Sequence, residues 1–84
     1  MMRLAKFVKF REEKFGGVLF ETRSEKVFTL NPTATAVVLE MDAGGDEREI
    51  ISRLKRRFED KDGAIEREAV AFIADLQRRG LVEG

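Results

Sequence analysis

Hydrophobic and polar positions follow two regimes, and the change falls at Leu30-Asn31-Pro32. Before it, short runs rich in Val, Phe and Leu are broken by charged or glycine-rich stretches. After it, apolar residues recur every three or four positions to the end of the chain. A first strand is predicted from Ala5 to Glu13; its Lys6-Phe7-Val8-Lys9-Phe10 segment mixes β-formers with lysines, as on a strand with one wet face. Lysines on such a strand also discourage pairing with a stray edge. Arg11-Glu12-Glu13-Lys14 and then Phe15-Gly16-Gly17 predict the end of that strand and a turn. Val18-Leu19-Phe20-Glu21-Thr22 predicts a second strand, Arg23-Ser24-Glu25-Lys26 a hairpin loop, and Val27-Phe28-Thr29-Leu30 a third strand. Short loops favour an antiparallel meander with the second strand central and the others at the edges.

The helical half opens with its own start signal. Asn31 is a good N-cap, since its side-chain oxygen can accept from a backbone N–H one turn on. Pro32, the single proline, falls at the first helical position, where a missing N–H is harmless. Helix one is predicted from Pro32 to Ala43, with Ala34, Val37, Val38 and Met41 on one stripe, and Gly44-Gly45 stops it. Asp46 and Glu49 have the spacing of a capping box for helix two. That helix runs to Phe58 with Ile50, Ile51, Leu54 and Phe58 on one face. Its basic C-terminal half, Arg53, Lys55, Arg56 and Arg57, complements the helix dipole. Helix three is predicted from Ala64 to Arg79, with Ile65, Ala69, Val70, Phe72, Ile73 and Leu76 apolar. Gly80 suits a left-handed C-cap, Leu81 can fold back on Leu76, and Leu81-Val82 reads as a short final packed segment. The fold class is therefore α+β: a three-stranded antiparallel sheet followed by three helices, winged-helix-like, one domain over residues 1–84.

Composition then removes whole classes of chemistry. The 84 residues include no cysteine and no histidine, which excludes disulfides, thiolate metal sites and the usual general base. No metal site, cofactor or catalytic residue is expected. Ser24 and Ser52, the only serines, fall in a turn and within a helix rather than at a nucleophile elbow. Glu59-Asp60-Lys61-Asp62-Gly63 lacks the regular ligand spacing of a calcium loop and reads as a plain connection. Gly16-Gly17 leads into a strand rather than a helix, so it is no phosphate loop. No apolar run approaches a membrane span, and charge interrupts the N-terminus too early for a signal peptide. Freedom from cysteine fits a cytoplasmic location.

Sixteen basic residues balance sixteen acidic ones. The run Lys55-Arg56-Arg57 invites a DNA-binding winged helix-turn-helix reading, since three helices and a small sheet can build one. Against it, the strands come first, only Leu81 to Gly84 follow helix three, and that helix mixes Glu66, Glu68 and Asp75 with its arginines. The third strand is more informative. It should lie at a sheet edge with only Lys26 as charged protection, and an exposed edge accepts a strand from another chain. Helix three can wall the adjacent groove, with Val70, Ala71 and Ala74 left over after the core is filled. The plainer alternative, a helix three buried on two sides, has equal standing.

At this point the residues themselves show a resemblance. Val27 to Ala36, Leu39 to Gly44, Ile50-Ile51, Leu54 to Phe58, and Val70 to Leu76 with Gly80-Leu81-Val82 resemble, in that order, the PqqD-like family. The upstream Val8 to Gly16 is similar to mycofactocin-type members, and the charged first strand departs from the PqqD type. The resemblance implies a RiPP recognition element: a non-catalytic peptide chaperone that binds the leader of a ribosomally made precursor peptide. It presents that leader to a modifying enzyme, a radical SAM enzyme or another RiPP-modifying enzyme. It also implies docking of the leader as an added strand beside the third strand, against helix three. On this sequence the edge maps to Lys26, Val27, Phe28, Thr29 and Leu30, and the wall, chosen by helical face, to Arg67, Val70, Ala71, Ala74 and Arg78. The partners expected are leader peptide and enzyme, with no nucleic acid and no membrane, for a monomer or weak homodimer. The alternatives are a DNA-binding regulator domain and an orphan structural domain awaiting fusion or oligomerisation.

Overall fold

The computed structural model describes residues 1–60 and 62–84. Elements follow in the order β1 (Arg3–Leu4), β2 (Val8–Glu13), β3 (Gly16–Glu21), β4 (Lys26–Leu30), α1 (Pro32–Asp42), α2 (Glu47–Phe58), α3 (Ala64–Arg78) and β5 (Val82–Glu83). Strands β2, β3 and β4 form an antiparallel meander with β3 central, as expected. Cross-strand pairing sets Leu19 opposite both Phe10 and Phe28, and Gly17 opposite Leu30. Alternation then puts Val8, Leu19, Phe28 and Leu30 on the face covered by helices. Val18, Phe20, Val27 and Thr29 take the opposite face.

Two expectations about the strands need correction. The strand expected from Ala5 begins at Val8, because Ala5 to Val8 is a turn closed by the Val8 N–H donating to the Ala5 carbonyl at 3.0 Å. The segment before that turn pairs instead with the chain end, Arg3 opposite Glu83 and Leu4 opposite Val82. Gly16-Gly17 is not the turn. Lys14-Phe15 form a two-residue connection, and both glycines belong to β3, where helix one and β4 come too close for a side chain.

Helix α1 is the centre of the molecule. Val37, Val38, Ala36 and Met41 are fully shielded, and Ala34 and Thr35 nearly so. Burial exceeds the single stripe read from sequence, because α1 packs on the sheet and on both other helices. From α2 come Ile50 and Leu54, and from α3 Ala69, Ile73 and Leu76, completing one core. The helix ends behave as their sequences predict. Asn31 Oδ1 accepts from the Ala34 N–H at 2.8 Å. Asp46 and Glu49 make the reciprocal capping box. At the end of α3 the Leu81 N–H donates to the Leu76 carbonyl at 2.9 Å around a left-handed Gly80, a Schellman closure. The start of α3 has no side-chain cap at Gly63. Asp60 supplies one instead, accepting from the N–H groups of Ile65 and Glu66 at 3.2 and 3.1 Å. Within that expected connection Lys61 lies outside the described residues. Asn31→Ala should cost about 1 kcal/mol by removing a cap, read as a lower urea midpoint with an unchanged slope.

Candidate functional site: the groove between β4 and α3

One edge of β4 is hydrogen-bonded to β3, and the other pairs with no strand among the described residues. Beside it lies a crevice of about 250 Å³. Phe28, Thr29 and Leu30 form its strand side; Phe72, Asp75, Leu76 and Arg79 form its helix side; Leu19, Ala34 and Leu81 make the floor. The helix residues are spaced three, four and seven apart, so they stand on one face. Phase explains which face: Ala69, Ile73 and Leu76 point into the core, which turns Phe72, Asp75 and Arg79 towards β4.

The crevice is apolar within and charged at its rim. Phe28 and Phe72 are half-buried across from each other. The Arg79 guanidinium carbon sits 5.1 Å from the centre of the Phe28 ring, within reach of a cation–π contact. Asp75 accepts from Arg79 at 3.0 Å and also from Arg78. The Arg79 hydrogen bond, then the charges of both arginines, hold the Asp75 carboxyl below its ordinary range, against the effect of partial burial. Glu21, at the far end of β3, is likewise lowered, chiefly by the Ser24 hydroxyl, with backbone N–H groups of the β3–β4 turn assisting. Both carboxylates have folded values below their unfolded ones, so each stabilises the fold above the unfolded value and ceases to do so as pH falls through the folded one. Neither group nor any histidine titrates near neutrality. The urea midpoint should therefore be flat over roughly pH 5 to 8 and fall below about pH 4.

A free main-chain edge, an apolar trough beside it and a guanidinium at the rim can hold an extended peptide. Main-chain hydrogen bonds supply register, alternate side chains enter the trough, and Arg79 can meet a carboxylate. No group of three or more metal-ligating side chains occurs among the described residues. No helix among them is long and apolar enough to cross a membrane.

Lys26, Val27, Phe28, Thr29 and Leu30 form the edge strand, as the sequence predicts. The helix positions mapped to the wall are not brought to this groove. Val70 faces the opposite groove between α2 and α3. Arg67, Ala71, Ala74 and Arg78 lie on the exposed side of α3, Arg78 reaching the rim only through its ion pair with Asp75. That wall was chosen by helical face; the phase fixed by Ala69, Ile73 and Leu76 turns Val70 and Ala74 away from β4 and leaves Ala71 one turn before Asp75. Phe72, read as one of the apolar set of helix three, both packs against the core and lines the groove. The residues that sequence reasoning missed are Asp75, Leu76 and Arg79 as groove lining, and the i, i+3, i+7 ladder from Phe72 was the available signal.

The basic half of α2 is largely consumed within the molecule. Arg53 binds the Glu40 carboxylate at 2.6 Å and donates to the Glu40 and Gly44 carbonyls, Arg57 binds Glu40 at 3.6 Å, and Lys55 binds Glu66 at 2.8 Å. Among the described residues the three-stranded sheet precedes the helices, whereas a wing follows its recognition helix. Nothing here supports the DNA-binding reading.

The family profile described as coenzyme PQQ synthesis protein D (PqqD) matches residues 16–82. The chain belongs to the PqqD family. Two solved structures share the fold of this PqqD-family chain throughout. The first, a lasso peptide synthetase B1 complexed with the leader peptide, is 24% identical with a TM-score of 0.79 over 99% of this chain and 98% of its own. The second, TbiB1 in complex with the TbiA(beta) leader peptide, is 18% identical with a TM-score of 0.81 over 98% and 95%. At these identities the likeness is one of fold. No curated protein matches the sequence.

Proposed function

We propose that this PqqD-family chain is a non-catalytic RiPP recognition element that binds a precursor's leader segment by strand addition to β4, against α3. The observation that carries the proposal is the unpaired β4 edge lying beside a preformed apolar trough. Support comes from the two full-length structural neighbours, each described as a complex with a leader peptide. The groove residues proposed for the leader are the main chain of Lys26 to Leu30 with the side chains of Phe28, Phe72, Asp75 and Arg79. Arg78 is retained through its hold on Asp75. Arg67, Val70, Ala71 and Ala74 do not line this crevice.

The bound leader is then presented to a modifying enzyme, a radical SAM or other RiPP-modifying enzyme, in the cytoplasm where the precursor is translated. The adaptor contributes no bond chemistry: its side chains offer shape, backbone pairing and charge. Calorimetric titration with a synthetic leader peptide of a candidate precursor tests the proposal. Saturable one-to-one binding is expected, with a scrambled leader of the same composition at least tenfold weaker. Equal affinity for the two would sink it.

A further inference from the structure

We propose that the groove on the opposite side of α3, between α2 and α3, docks an acidic, apolar-faced segment of the enzyme that modifies the bound peptide; this rests on the adaptor reading above. The groove encloses about 710 Å³. Ile51 and Val70 give it an apolar floor, and Val70 is 42% exposed, a large apolar side chain left uncovered by the fold. Its rim carries guanidinium groups that the molecule does not neutralise. Among the described residues Arg48 and Arg56 form no ion pair, while their neighbours Arg53, Lys55 and Arg57 are all engaged with carboxylates.

A shallower depression continues past Val70 to Arg67, whose only polar partner among the described residues is the Asp62 carbonyl at 3.2 Å. Three uncompensated guanidinium groups thus surround one uncovered valine, against the single unpaired carboxylate Glu47 at the groove's end. Guanidinium groups at such a rim favour carboxylates, in paired geometry where the partner allows it. The apolar floor and the zero net charge favour a protein segment over a nucleic acid.

Position supplies the reason for the assignment to the enzyme. α3 presents Phe72, Asp75 and Arg79 to one groove and Glu66 and Val70 to the other. Leader and enzyme therefore occupy opposite flanks of one helix and do not compete, as an adaptor requires.

The test uses the full chain, a purified candidate RiPP-modifying enzyme, and the synthetic leader, with enzyme and leader affinities measured separately. The variants are Val70→Asp and the pair Arg48→Glu with Arg56→Glu, all at exposed sites, and the arginine pair serves should Val70→Asp fold poorly. We expect enzyme affinity to fall at least tenfold, leader affinity to stay within twofold, and wild-type enzyme binding to weaken as salt is raised. Enzyme affinity within threefold of wild type in the arginine pair overturns the inference. So does wild-type retention on duplex DNA at low salt that this pair abolishes. A wild-type chain that binds enzyme through this groove but no leader supports the docking site and defeats the adaptor reading, so the two failures are separable.

Discussion

Gly16→Ala should destabilise the protein by about 3 kcal/mol or more, because two independent obstacles meet at that position. Its φ of +146° lies where residues with a side chain are strained. A Cβ there would also stand 2.1 Å from the Leu30 carbonyl oxygen and 2.9 Å from the Asn31 carbonyl carbon. Both are backbone atoms, so no side chain can swing aside. Relief requires β4 to move away from β3 at the junction where Asn31 caps α1. A chain of this size has only about 4–13 kcal/mol of stability in all, so the loss shows as a large fall in urea midpoint. Gly80→Ala is the natural control: φ is +71°, with nothing within 4 Å of the added carbon. It should cost only about 1–2 kcal/mol, the left-handed penalty alone. Equal effects at the two glycines would mean that the close approach at Gly16 does not hold in solution.

Leu19→Ala should cost about 2–5 kcal/mol, the range for emptying a well-packed leucine site. Leu19 is 0% exposed on the central strand, flanked in register by Phe10 and Phe28. It cannot be replaced by collapse from either side, because both neighbours are held by the strands that carry them. Leu19 is also the floor of the β4–α3 groove. The folded fraction of the variant should therefore bind leader more weakly than wild type, whereas an emptied site remote from the groove would leave affinity unchanged. Denaturation and calorimetry on one preparation separate the two effects.

Much of this architecture is written in local sequence. The switch at Leu30-Asn31-Pro32, the capping box of Asp46 and Glu49, and the glycine closure after α3 each depend on residues within one turn of one another, and each appears as predicted. The identity of β4 as an edge was legible for the same reason, since short loops leave a meander few arrangements. What escaped detection depends on distant partners. Nothing near Arg3 signals a ladder with Glu83, and two-residue strands have no periodicity to read. Gly16-Gly17 look like a turn until α1 and β4 are seen pressing on them. Helical phase is set by core contacts, which the sequence does not show: Val70 and Ala74 stand roughly 100° or more around α3 from Phe72, Asp75 and Arg79, whereas Ala71 stands one turn before Asp75. The fate of the basic run on α2 likewise depends on Glu40, which lies in another helix.

Hydrogen exchange followed residue by residue, with and without the leader peptide, tests strand addition at β4 most directly. An added strand captures the amides that point away from β3, so alternate residues from Lys26 to Leu30 should become protected. Resonances of Phe72, Asp75, Leu76 and Arg79 should shift in the same titration, while those of Arg67 and Ala74 stay in place. Protection spread evenly over the domain, or unchanged exchange along β4 with leader bound elsewhere, would contradict the account.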